Sequence, residues 1–599
     1  AMMDKDLGNI KLEESPNDLQ TVTVTSSKPQ FEMGIDRKVF NVEKSLTSTG
    51  QTAVEVMKNI PNLNVDIDGN VTMRNASPTI LIDNRPTTLT LDQIPADIIE
   101  KVEIITNPSA KYEATGGNAG ILNIVLKKNR KNGYNGGVRA GVDMRGKFNG
   151  GTDLNLRDSK FNFSLNAMVN GRKSIGYGET NREILGTTLP TSTKSINNND
   201  NYGSFNFFRA GIDYLPDNRN TFSLYSNVVM GAFTSNGTQN IDSTIGSRNS
   251  QYNLNNNGHF EFLNKGGQLS YKHLFAEPGH EISADVNYNA SESKNHSDII
   301  SSILNQSTLG KGDNSNYTTS IDYTKPIKND GKFELGARYN FRDEFNDRNQ
   351  YRNGTLLSAI SKQYDYTEKV FAAYTNISWK AKQFSYQLGL RAESREYNGA
   401  VYNIYSSVTP DPPFKTSYPI SLFPSAFITY KKSDKEDFNF NYSKRIQPPN
   451  FFQLLPFPDY GDPQNITIGN PKLKPQFTHS AEISYNNAYT KGANFLATAY
   501  FKYSTDLITN YIYKDINKAS ANGDSAYFSS SINANTATTF GLELSNKTAI
   551  TKWWDLNLSF NLFNSSIQAT IPGQNVDNSL VSWFSKMNNT FKIGKGWSY

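Results

Sequence analysis

The chain has 599 residues, of which 36% are hydrophobic, with a mean hydropathy of −0.58 and a formal net charge of +5. No run of about 18 apolar residues occurs, which excludes a transmembrane helix. It contains no cysteine, which rules out disulfides, thiolate metal sites and cysteine nucleophiles.

The five histidines, His259, His273, His280, His296 and His479, are scattered without metal-ligand spacing, so no metal site is expected. No Lys/Arg cluster marks a nucleic-acid footprint. No nucleophile elbow, Walker loop or dinucleotide fingerprint is present, and Gly310-Lys311-Gly312 lacks the rest of a phosphate loop. The expectation is a chain that is not an enzyme, with no catalytic residues and no cofactor.

Three regions follow in order: a polar leader over 1–30, a mixed α+β unit over 31–128, and strand, turn and loop over 129–599. Residues 1–20 are polar and acidic with no signal-peptide pattern, so the start reads as a processed or engineered end. Thr21-Val22-Thr23-Val24-Thr25-Ser26-Ser27 is β-branched and extended in character.

In the second region, Ala53-Val54-Glu55-Val56-Met57-Lys58-Asn59-Ile60 spaces apolar residues as a helix, which Pro61 stops. Asp68-Gly69-Asn70 turns the chain into Val71-Thr72-Met73-Arg74. The run from Asp66 superficially resembles a calcium loop, but the remaining ligands and the bidentate Glu are missing, so a turn is expected. Thr79–Asp83 reads as a buried strand. Ile94–Glu100 reads as a short helix leading into strand Lys101–Ile105, and a last strand runs over Ile121–Val125.

From about Gly133 onward, runs such as Phe161–Ala167 and Leu556–Leu562 alternate apolar and polar residues strictly. That period of two puts one face on oil and the other on water. Turn-forming links near 157–160, 216–219, 277–280, 329–332, 433–435, 490–492 and 594–596 alternate with long links. The long ones fall near 172–200, 231–256, 292–312, 344–363, 397–417, 446–477, 506–533 and 564–579. Short turns on one side and long loops on the other are the asymmetry of bacterial outer-membrane barrels, and the 32 Tyr and 35 Phe suit their aromatic girdles. About 18 strands are expected. Trp597-Ser598-Tyr599 reads as the start of another, so the chain is expected to stop inside the barrel.

The order helix-Ile-Pro-Asn-Leu, Met-Arg-Asn, Leu-Ile-Asp-Asn-Arg-Pro, Ile-Glu-Lys-Val-Glu-Ile-Ile-Thr-Asn-Pro-Ser-Ala-Lys-Tyr and Gly-Gly-Asn-Ala-Gly-Ile-Leu-Asn-Ile resembles the plug domain of TonB-dependent outer-membrane transporters. The stretch from Arg445-Ile446-Gln447-Pro448-Pro449 to Gly469-Asn470-Pro471-Lys472-Leu473-Lys474-Pro475 is similar to that family's strand end, loop and following strand.

The resemblance implies an all-β antiparallel transmembrane barrel, 22-stranded in the family, with a small α+β plug in its lumen. It makes Thr21, Val22, Thr23, Val24, Thr25 and Ser26 a TonB box, a strand that adds to the energising periplasmic protein, with a plain β-strand of an upstream domain as the alternative. It gives Arg74 as a plug arginine that pairs with barrel carboxylates, although a solvated lumen arginine remains the alternative. Implied partners are TonB with its inner-membrane complex, outer-membrane lipid, a surface lipoprotein and an extracellular ligand. The implied function is active uptake of an oligosaccharide, a peptide or a metal chelate; the alternative is a non-energised surface-binding or assembly protein. Aromatic loop residues Tyr402, Tyr405, Phe451, Phe452, Phe457 and Tyr460 are the candidate ligand contacts, with girdle and loop packing as the alternative.

Overall fold

The computed structural model describes residues 31–591 apart from 34–35, 43–51, 61–62, 67–68, 75–76, 84, 87–89, 116–119, 128–132, 185–190, 302–304, 359–360, 403–412, 455–464, 491–492, 520–524, 552 and 572–573. The leader segment Thr21–Ser26, and Tyr405, Phe457 and Tyr460, lie outside the described residues.

Residues from Gly133 to Phe591 form one large sheet in which each long strand runs antiparallel to the next. Eighteen of its strands have ten residues or more, which matches the count expected from the alternation. Two shorter strands, Thr355–Leu356 and Asn465–Ile468, sit on its rim. The sheet curls around a lumen without closing. Among the described residues no ladder joins Gly133–Val142 to Gln574–Phe591, and along those two edges Tyr134 and Trp583 are largely exposed.

The short links are tight turns with a mechanism. Asn329 and Asp330 both have positive φ (64° and 49°) in the three-residue link between the paired residues Ile327 and Gly331, which Asn and Asp tolerate. The Asp217 carboxylate accepts from the Arg219 and Asn220 amides at 2.7 and 2.8 Å. Beside these turns the outer face carries a ladder of rings. Phe161, Tyr214, Phe222 and Tyr271 follow one another at 5.0, 6.3 and 4.7 Å. Phe384, Tyr430, Phe438 and Tyr485 continue the series farther round at 4.9, 6.3 and 4.9 Å. Rings at that level are the interfacial girdle of a membrane barrel.

The long links differ from expectation. Strands Phe161–Ile184, Thr191–Tyr214, Asn220–Ile245 and Arg248–Leu274 run through most of the segments read as loops. Alternation vanishes there because both faces are wet above the bilayer, whereas the backbone ladder continues. An apolar test of the sequence cannot see a strand that has no apolar face.

Inside the lumen lies a six-stranded sheet. Its spatial order is Phe31–Met33, Lys38–Asn41, Ile99–Ile105, Ile121–Leu126, Thr79–Ile82 and Arg85–Pro86, with the Thr79–Ile82 and Ile121–Leu126 strands parallel. The helix is Ala53–Lys58, and a hairpin pairs Leu63–Val65 with Val71–Met73. Its turn is fixed by Asp66, whose carboxylate accepts from the Asn70 amide and side chain, each at 2.8 Å, with Gly69 at φ +86°. The expected helix at Ile94–Glu100 is instead a 3-10 turn, Ala96–Ile98, that passes straight into the strand.

Val56, Met57, Ile60, Ile99, Val102, Leu122 and Ile124 are almost wholly buried and form the core of this unit. Barrel residues Met168, Phe205, Phe207 and Val229 join the same apolar cluster, so the plug core continues onto the wall. Burying such side chains contributes roughly 1.5–3 kcal/mol each, an upper estimate before entropy is subtracted.

Candidate functional site

Arg74 ends the Val71–Met73 strand in a left-handed conformation (φ 52°) that turns its side chain into the plug–wall interface. Nε and Nη2 donate to the two oxygens of Glu543, each at 2.9 Å, and Nη1 donates to Glu482. The guanidinium also lies over the Tyr500 ring, 4.2 Å from its centre. Thr106 donates to the second Glu482 oxygen at 3.0 Å, and Lys38 Nζ stands 3.9 Å from Glu543.

All three groups of the central triad are buried: the Arg74, Glu482 and Glu543 side chains are 1%, 2% and 3% exposed. Burial disfavours the charged arginine, but the two facing carboxylates outweigh it and hold Arg74 protonated well beyond its ordinary range. Bidentate geometry of this kind is available to arginine and not to lysine.

A second polar seam holds plug residues Asn107–Thr115 against another part of the wall. The Ala114 amide donates to Glu393 at 2.8 Å and its carbonyl accepts from the Ile446 amide at 3.0 Å. Arg445 donates to the carbonyls of Glu113 and Thr115, the latter at 3.1 Å. Arg395 bridges Glu368 at 2.6 Å and plug residue Glu113 at 3.4 Å. Ser425 and Ser443 bond the Ala110 amide and Asn107 at 3.2 and 3.1 Å. Close approach here depends on Gly389, where a β-carbon would fall 2.8 Å from that of Ala110.

Of the residues expected from sequence as site residues, Arg74 lies in these seams; Arg445, which opens the family-like stretch, lies there too. The carboxylates of Glu482 and Glu543, which pair with Arg74, and the second-seam residues Glu393 and Arg395 were missed. The available signal was a lone charge at a lumen-facing position in an otherwise small and polar strand, as in His479-Ser480-Ala481-Glu482.

The expected ligand aromatics separate. Phe451 is buried, its ring 4.8 Å from Tyr366 in a cluster with Tyr397 and Val401. Phe452 is exposed beside it, and Tyr402 ends its strand half-exposed. A cavity of about 1030 Å³ lies between plug and wall. Asp66, Asn70, Thr90 and Asp92 line it from the plug, and Asn149, Asn170, Arg172 and Phe205 from the wall. Among the described residues no group of three His, Asp or Glu is placed to hold a metal ion.

Comparison with known proteins places this architecture. The alcaligin outer-membrane receptor FauA of Bordetella pertussis shares 14% identity and superposes with a TM-score of 0.58, over 95% of this chain and 86% of its own. The ferric yersiniabactin uptake receptor FyuA of Yersinia pestis gives 12% and 0.60 over 92% and 89%. The copper transporter OprC gives 12% and 0.62 over 94% and 91%. Identity at this level establishes a shared fold. No curated protein matches at the level of sequence. The sequence profile of the outer membrane protein beta-barrel family matches residues 273–599, more than half of the chain. The chain therefore belongs to the outer membrane protein β-barrel family, a strand-built protein of the outer membrane.

Proposed function

We propose that this protein is a TonB-coupled transporter that takes a scarce nutrient through the outer membrane when its plug is pulled or remodelled. The observation that carries this reading is the buried Arg74–Glu482–Glu543 triad. A plug held inside a wide barrel by desolvated ion pairs does not leave spontaneously, so passage requires work from outside the barrel. The outer membrane has no nucleotide supply of its own, and the β-branched leader Thr21–Ser26 has the chemistry of a strand that adds to a periplasmic partner.

Proteins that share the fold are named for alcaligin, ferric yersiniabactin and copper, so the fold admits chemically different cargo. The cavity between plug and wall is roomy enough for a solute of drug size or larger, and its Asn, Asp and Thr lining suits hydroxyl- or amide-rich cargo such as an oligosaccharide or a peptide. A surface lipoprotein that presents such cargo completes the proposed set of partners.

The test is growth. A strain lacking the gene is compared with its parent on media in which one nutrient at a time is scarce, and is complemented with the wild-type or the Val22→Pro/Val24→Pro chain. The reading expects a defect on one nutrient class that the wild type restores and the proline variant does not. Full rescue by the proline variant would instead indicate a non-energised surface-binding protein.

A further inference from the structure

A recess on the outside of the barrel has no part in transport through the lumen. Side-chain alternation puts Ile282, Ala284, Val286, Tyr288 and Ala290 of the Glu281–Ile300 strand on the outer face. These nine positions, at about 3.3 Å per residue and a tilt near 40°, rise about 20 Å through a barrel's apolar band of roughly 25 Å, so the next outward position, Glu292, lies at its upper edge. The Tyr288 and Tyr317 rings, 4.6 Å apart, belong to its upper part. The first charged pair above it is Lys265–Glu292, at 2.8 Å.

Directly above that pair, four adjacent strands enclose a recess of about 340 Å³. Lys294 and Lys311 supply cations, Glu261, Asp347 and Asn349 supply acceptors, and Leu309 supplies an apolar surface. His259 and His296 face each other across the strand pair and are oriented by Glu261 and Asp298, each at 3.1 Å. Lys311 is paired with Asp313 at 3.1 Å, whereas no carboxylate among the described residues lies within ion-pair distance of Lys294.

We propose that this recess binds the phosphorylated sugar headgroup of an outer-leaflet glycolipid. The height carries the identification, because a site one step above the apolar band faces headgroups. The chemistry agrees. Lysine ammonium groups bind phosphate, the carboxylates and amide bind sugar hydroxyls, and Leu309 covers a C–H face. A simple anion would use the lysines and be repelled by Glu261 and Asp347. This inference rests on the outer-membrane placement and is independent of energised uptake.

The experiment is native mass spectrometry of the full detergent-solubilised chain, titrated with lipid A, dephosphorylated lipid A and phosphatidylglycerol. It is repeated on Lys294→Gln/Lys311→Gln and on Lys415→Gln, an exposed lysine elsewhere on the outer wall. The expected result is retention of lipid A by the wild type and the Lys415 variant, with at least about tenfold less on the double variant. Dephosphorylated lipid A and phosphatidylglycerol should bind the wild type several-fold more weakly. Equal retention by the double variant, equal retention of phosphatidylglycerol, or full displacement of lipid A by millimolar inorganic phosphate would each overturn the proposal.

Discussion

Replacing Arg74 with methionine keeps much of the side-chain volume and removes the charge from the most buried contact between plug and wall. Three donor–acceptor bonds and the stacking on Tyr500 are lost, and Glu482 and Glu543 remain desolvated. Removing one partner of a buried pair typically costs about 3–5 kcal/mol. Lys38 at 3.9 Å and the buried Lys502 remain nearby and offset part of this, so the lower end, about 3 kcal/mol, is expected. At about 1.4 kcal/mol per tenfold, the open-plug population should rise roughly a hundredfold.

The assay is amide hydrogen exchange of the reconstituted full-length protein, read over the Val71–Met73 and Ile99–Ile105 strands. The exposed Lys58–Glu55 pair, with side chains 49% and 40% exposed, is the control. Breaking it should change exchange by less than about 0.5 kcal/mol. The double variant Arg74→Met/Glu543→Gln should recover part of the loss, because it buries one unpaired carboxylate there, that of Glu482, instead of two. Exchange in Arg74→Met within about 0.5 kcal/mol of wild type would refute the reasoning.

Gly389→Val places a β-carbon 2.1 Å from Asn376 Oδ1 and 2.8 Å from Ala110 Cβ, so it should loosen the second seam by about 1–3 kcal/mol, visible as faster proteolysis of the plug. Glu393→Gln keeps an acceptor for the Ala114 amide but leaves buried Arg391 and Arg395 short of a counter-charge. Faster exchange confined to Asn107–Thr115, at a cost of roughly 2 kcal/mol, is expected.

Asp36 and Glu103 flank Arg37 in the plug: burial alone would raise both carboxyls, but Arg37 more than reverses it and holds them below their ordinary values. The stability from these depressed groups is fully present above about pH 4.5 and is lost as the pH falls through their folded values. The Lys38–Asn41 strand, which pairs with the strand bearing Glu103, should therefore fray in acid. Exchange of its amides in Glu103→Gln should depend less on pH between about 5 and 3.

Much of the fold was legible because membrane barrels impose a strict pattern. Runs such as Phe161–Ala167 must alternate to face lipid, and links such as 216–219 need residues that accept turn geometry. The upper strand halves were not legible, since Thr191–Asn201 is polar on both faces apart from Ile196 and looks like a loop. The site was legible at one end only. Arg74 stood out through a plug-like string, whereas Glu482 and Glu543 became its partners only when strands 408 and 469 residues away reached the same level of the lumen. Pairing across such separations depends on register, and a single sequence does not encode it visibly. Phe451 shows the converse, because aromatic richness in a loop suggested a ligand platform where the ring is spent on packing against Tyr366.

The central claim is that an energy-coupling partner engages the leader of this plugged barrel. It is tested most directly by calorimetric titration of the full chain with the periplasmic domain of TonB from the same organism, alongside the Val22→Pro/Val24→Pro variant. The account predicts saturable binding by the wild-type chain that the two prolines abolish, because each removes an amide from the added strand. No binding by the folded wild-type protein, or equal binding by the proline variant, would contradict it.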